Sequence, residues 1–120
     1  MSLPRGLFKK HIGSKEIIVT DYRGLSDDEM LHMVQALEEL ILTEKKPNSR
    51  LVYAQGVDLP MQVRIHLRKM GGRVKHIPSK IAVVGTSSTK KLLLQSYNRI
   101  IGESMRFYDD EKEALEYLTQ

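Results

Sequence analysis

Apolar and polar positions along the chain fall into two periodicities, and these separate strands from helices. Leu7 to Ile12 and Lys15 to Tyr22 flank Gly13-Ser14, with Ile17, Ile18 and Val19 making the second run strongly strand-forming. A glycine supplies the positive φ that a two-residue type II′ turn needs at its first position, so this region predicts a hairpin. Ser26-Asp27-Asp28-Glu29 has capping-box spacing and opens a helix. Met30, Met33, Val34, Leu37, Leu40 and Ile41 then form a core stripe, Asp28, His32, Gln35 and Glu39 form the wet stripe, and the helix should stop before Lys45-Lys46-Pro47. Arg50 to Gln55 predicts a central strand, and Gly56-Val57-Asp58 its exit turn.

Residues 61 to 68 read Met-Gln-Val-Arg-Ile-His-Leu-Arg, a strict alternation that by itself describes a half-exposed strand. The flanks argue otherwise. Asp58 and Pro60 suit a helix start, Gly71-Gly72 suits its end, and Leu59, Val63, Leu67 and Met70 share one helical face, so a helix is the expectation here. Lys80 to Gly85 holds the continuous apolar run Ile-Ala-Val-Val of a strand buried on both faces, which requires helices on both sides of the sheet. A helix carrying Leu93, Leu94, Tyr97, Ile100 and Ile101 should follow, then a strand from Met105 to Tyr108. A last helix, capped by Asp109 or Asp110, should bury Ala114, Leu115 and Leu118. A hairpin followed by alternating helices and strands predicts one α/β domain over residues 1–120: four to five mostly parallel strands covered by about four helices. Residues 1–4 are expected to be a disordered or cloning-derived leader.

Composition narrows the chemistry. The 120 residues are 41% hydrophobic and 28% charged, as in ordinary globular proteins. No apolar run approaches the ~20 residues of a membrane helix, and no secretory signal opens the chain, so a cytoplasmic protein without membrane partners is expected. The absence of cysteine removes disulfides, thiolate nucleophiles and cysteine-ligated metals. The net charge of +4 is unevenly spread: residues 59–102 carry nine Lys/Arg and no acid, whereas 103–120 carry two against six.

Three segments carry a family resemblance. Asp21-Tyr22-Arg23-Gly24-Leu25-Ser26 leading into the first helix, Ile81-Ala82-Val83-Val84-Gly85, and Phe107-Tyr108-Asp109 followed by Ala114-Leu115 and Leu118 are similar to the STAS-like, SpoIIAA-like (anti-sigma-factor-antagonist-like) bacterial proteins. The resemblance spans about residues 12 to 120 and implies a SpoIIAA-like fold. It also implies a regulatory protein that binds a partner, since the better-understood members do so under control of a phosphorylated serine just after a central strand. Gln55-Gly56-Val57-Asp58 offers no serine or threonine there, so that switch carries over to no residue of this chain.

Two segments could hold an anion or a partner. Arg64, Arg68, Lys69, Arg73, Lys75 and Lys80 form a basic stretch, with Arg64 and Arg68 sharing a helical face. No aromatic residue occurs between Tyr53 and Tyr97 to stack a base, which disfavours nucleic acid. Thr86, Ser87, Ser88 and Lys90 follow a buried strand and open a helix, where amides, hydroxyls and an ammonium could cradle a phosphate. The segment lacks a P-loop's second glycine and Gly-Lys-Ser/Thr ending, and helix capping alone explains its hydroxyls. His11, His32, His66 and His76 are scattered, and only Asp28 with His32 has one-turn spacing. Asp21, Asp58, Asp109 and Asp110 sit near strand ends, where turns also recruit aspartate. The expectation is a non-enzymatic interaction module with no catalytic, cofactor or metal residues, binding another protein or its own copy. Its alternatives are an anion or nucleic-acid binder using 64–80 and a small-molecule binder using 86–90.

Overall fold

The computed structural model describes residues 3–85 and 105–120. Five strands, β1 (Leu7–Ile12), β2 (Lys15–Asp21), β3 (Asn48–Tyr53), β4 (Ser79–Val84) and β5 (Met105–Tyr108), form one sheet in the order β1-β2-β3-β4-β5. The β1–β2 hairpin is antiparallel and every other pairing is parallel. Gly13 takes φ +60 in the hairpin turn, as the sequence required.

Helix α1 (Asp27–Glu44) joins β2 to β3 and α2 (Met61–Val74) joins β3 to β4. Crossovers between neighbouring parallel strands are right-handed, so successive ones advancing in one direction fall on the same face of the sheet. Both helices accordingly pack over Ile18, Ile81 and Val83. Alternate strand residues point the other way. Helix α3 (Glu111–Leu118) folds back there and buries Ala114 and Leu118 against Ile17, Val19, Leu51, Ala82 and Val84. This is the two-sided cover that the apolar β4 run demanded. The expected helix over Leu93 to Ile101 lies outside the described residues.

Helix α1 begins with a complete capping box, Ser26 Oγ accepting from the Glu29 amide and Glu29 Oε1 from the Ser26 amide. It ends at Glu44, where Lys45 adopts the left-handed conformation with φ 55. Asp28, His32, Gln35 and Glu39 are exposed, as the wet stripe predicted.

Four elements differ in extent from expectation: strand β2 ends at Asp21, one residue short of Tyr22, and β3, β4 and α2 differ as well. Strand β3 starts at Asn48, two residues earlier, because the Asn48 amide bonds the Pro78 carbonyl and Asn48 aligns with Ser79; it ends at Tyr53, where its partners Asp21 and Val84 also end. Strand β4 is displaced by one residue for the same reason. Helix α2 runs through Gly71-Gly72 to Val74, since Val74 is the next buried member of the stripe Val63–Leu67–Met70 and Gly71 lies on the packed side. Packing outweighs the roughly 1 kcal/mol propensity cost of each glycine.

Just before β1 the Pro4 carbonyl accepts from the Leu7 amide at 3.1 Å. The Gly6 carbonyl accepts from the Asp21 amide at 2.8 Å, and Gly6 has φ +89. A Cβ at this position would stand 2.6 Å from the Asp21 carbonyl oxygen and 2.8 Å from Met33 Sδ. Only glycine fits there.

Candidate functional site

The basic stretch is divided by the fold into four environments. Arg73 turns sideways from α2 to α1, where its Nε and Nη2 both bond Glu38, the latter at 2.8 Å. His66 Nε2 lies 3.1 Å from Glu38 Oε1, the oxygen that also accepts from Arg73 Nη2, a contact that becomes an ion pair when the imidazole is protonated. Glu38 is largely buried, and its hydrogen bonds from Arg73 hold its carboxyl below the usual range. These side chains brace two helices.

Lys80 leaves the group altogether. It belongs to β4 and points to the opposite face of the sheet, its Nζ 4.7 Å from the Tyr117 ring centroid. Arg64 is half-buried, its Nε enclosed without a hydrogen-bond partner among the described residues. Arg68, Lys69 and Lys75 remain fully outward.

The outward face of α2 carries more than charge. Met61 is 67% exposed and Ile65, one turn on, 44% exposed. Helical spacing lines them up with Arg68, Lys69 and Gly72, while Val63, Leu67, Met70 and Val74 turn inward. Sequence reasoning missed this apolar pair, yet a signal was there. Alternating apolar residues at 61, 63, 65 and 67 cannot all face one side of a helix, so once the helix forms, half must face outward.

Thr86, Ser87, Ser88 and Lys90 lie outside the described residues. The fold places the Gly85 amide before them against the Tyr108 carbonyl at 3.3 Å.

At the carboxyl ends of the strands, aspartates serve turns and caps. Asp21 accepts from Arg23 through its amide at 3.0 Å and its guanidinium at 2.9 Å, and these bonds hold the Asp21 carboxyl below its ordinary value. The guanidinium also stacks 4.4 Å from the Tyr53 ring centroid. Tyr53 donates its hydroxyl to Glu111, while Lys10 Nζ stands 3.8 Å from the same carboxylate. Burial, then the bond to Glu111, push the Tyr53 phenol upward. At neutral pH this chain holds a carboxylate and a protonated phenol, each stabilised in that state and neither poised to exchange a proton. Its role is to fasten the start of α3 to the sheet. Asp110 caps α3, accepting from the Glu113 amide at 2.8 Å, and Asp58 and Asp109 are exposed. Asp28 and His32 share an open surface depression with Pro4, Arg5 and Glu29, and the described residues contain no group of three or more His, Asp or Glu able to hold a metal.

Two polar residues are buried within the strands, Thr20 of β2 and Arg50 of β3. Arg50 is 2% exposed on the face covered by α1 and α2, its Nη2 3.4 Å from Ser79 Oγ. Periodicity cannot flag a single inward cation inside a β-forming run.

No family model matches the chain, and no curated protein does. Among solved structures it is similar to that of an uncharacterised protein of the DUF3478 family with a SpoIIAA-like fold from Shewanella loihica PV-4. The identity is 17%, the TM-score 0.65, and the match covers 93% of this chain and 91% of that one. The architecture implied by the three sequence segments is therefore the one observed: this chain has a SpoIIAA-like fold.

Proposed function

We propose that the chain is a non-enzymatic interaction module, of regulatory character, that docks an acidic protein partner on the outward face of α2. The observation that carries this reading is the pair Met61 and Ile65, exposed on successive turns and continued by Arg68 and Lys69. Exposed methionine and isoleucine supply apolar anchor area; flanking cations select acidic surroundings and speed encounter. The carboxylate and phenol at the strand ends are committed to structural bonds, which also favours recognition over chemistry.

The division of the basic stretch weighs against nucleic acid, since Arg73 and Lys80 do not join the outward cations and no aromatic residue occurs in the sequence between Tyr53 and Tyr97. The test is capture from an extract of the native cells, run in parallel with wild type and an Ile65→Glu variant of equal melting temperature. A retained acidic protein that Ile65→Glu loses supports the reading. Equal retention by both, or a strictly monomeric chain that retains nothing, overturns it.

A further inference from the structure

Among the described residues β1 is a terminal strand of the sheet, so one of its edges presents backbone groups that β2 does not take. The register fixes which ones. In a two-residue hairpin the residues flanking the turn form a hydrogen-bonded pair, and such pairs recur at every second position. Ile12 stands opposite Lys15 across the turn, Lys10 opposite Ile17 and Phe8 opposite Val19, a parity that the Gly6 carbonyl continues by accepting from the Asp21 amide. Lys9 and His11 lie between these positions and turn their amides and carbonyls outward.

The side chains of β1 alternate between the two faces. Phe8, Lys10 and Ile12 share the α3 face with Val19 and Ile17. Ile12 packs against that core, whereas Phe8 is 46% exposed and belongs to neither core cluster. Lysines on an edge ordinarily repel a second strand. Here they are matched by carboxylates: Lys9 pairs with Glu44 and, at 3.2 Å, with Glu16, and Lys10 Nζ stands 3.8 Å from Glu111.

We infer that β1 pairs antiparallel with β1 of a second copy of this chain, about a two-fold axis at Lys10. Hydrogen bonds across the edge require Lys9 and His11 to face outward-turned residues of the second copy, which leaves few registers. One centred on His11 sets Phe8 against Ser14, and one centred on Lys9 sets it against Lys10. One centred on Phe8 needs the Leu7 amide, which already donates to the Pro4 carbonyl at 3.1 Å. The register centred on Lys10 sets Lys9 opposite His11 of the second copy, and it also sets Phe8 opposite Ile12 of the second copy, twice by symmetry. Each Lys10 brings its own Glu111 to the axis. The α2 face takes no part, so this dimer and the acidic-partner reading can fail independently.

The chain contains no cysteine, so single introduced cysteines report the register directly. Sedimentation of the full chain should show a monomer–dimer equilibrium in the micromolar to millimolar range. Under mild oxidation Lys10→Cys should form a covalent dimer, since opposite Cα atoms of a non-hydrogen-bonded pair lie about 4.5 Å apart, within a disulfide's span of roughly 4.4–6.8 Å. His11→Cys, at a more exposed side chain but two places out of register with its own counterpart, should link at least about tenfold more slowly. Phe8→Glu should keep the wild-type melting temperature and weaken the dimer about tenfold or more. A chain that stays monomeric at millimolar concentration, a His11→Cys protein that links as fast as Lys10→Cys, or a folded Phe8→Glu protein that dimerises with wild-type affinity would each overturn the inference.

Discussion

Helices α1 and α2 lie side by side on one face of the sheet, and their inner stripes are alike: Met30, Met33, Val34, Leu37 and Ile41 on one, Val63, Leu67, Met70 and Val74 on the other. Their outer faces are not. Helix α1 shows solvent Asp28, His32, Gln35 and Glu39, with no large exposed apolar side chain, whereas α2 shows Met61, Ile65, Arg68 and Lys69. The inner faces answer to the sheet, and both satisfy it. Of these two helices only α2 exposes large apolar side chains to water, which the fold does not need. That excess is the ground on which recognition is proposed for α2 rather than α1.

The comparison can be broken first at the inner faces, where the effects are largest. Leu37→Ala on α1 and Leu67→Ala on α2 each remove a buried side chain and should cost about 2–5 kcal/mol, measured by denaturant unfolding. If either cost is near zero, the two helices do not share one core. Gly6→Ala attacks the same assembly from the chain before β1. Its new methyl meets the Asp21 carbonyl and Met33, so a loss of about 1–3 kcal/mol is expected by the same measurement.

Between the helices the expected effect is smaller. Glu38→Gln removes the charge that Arg73 and His66 share and should cost about 1 kcal/mol. It also changes the pH response. The folded carboxyls of Glu38 and Asp21 titrate below their unfolded values of about 4, so their stabilisation is complete above that range and is lost as pH falls through the folded values. Wild type should therefore lose stability on acidification below about pH 4, and Glu38→Gln should lose less over the same interval. An identical acid profile for the two proteins would remove Glu38 from the account.

The smallest stability effect belongs to the outer face of α2. Ile65→Glu should change unfolding free energy by no more than about 0.5 kcal/mol, because the side chain packs against little. A large loss would mean that Ile65 supports the fold and would return α2 to the same standing as α1.

Local signals were legible in the sequence and long-range ones were not. The Ser26–Glu29 capping box, the wet stripe of α1, the hairpin glycine and β5 from Met105 to Tyr108 all follow from residues within one turn of each other. The limits of β3 and β4 are set by their neighbours in the sheet, and the end of α2 by packing beyond two glycines. The Glu38–Arg73 brace joins residues 35 apart, a distance across which no periodicity speaks. Of the basic stretch, sequence showed the charge but not its division, since which cation faces a carboxylate is decided by the adjacent helix. The apolar excess on α2 is present in the sequence as the alternation from 61 to 68, a pattern that shows outward apolar residues only once a helix is assigned there.

The most direct test compares the two helices within one complex, by acetylating surface lysines before and after the captured acidic partner is added. Lys69 on the outer face of α2 should become several-fold less reactive, while Lys45 at the end of α1 keeps its rate. Protection of Lys45 with Lys69 unchanged, or no change at either, would contradict the assignment of recognition to α2.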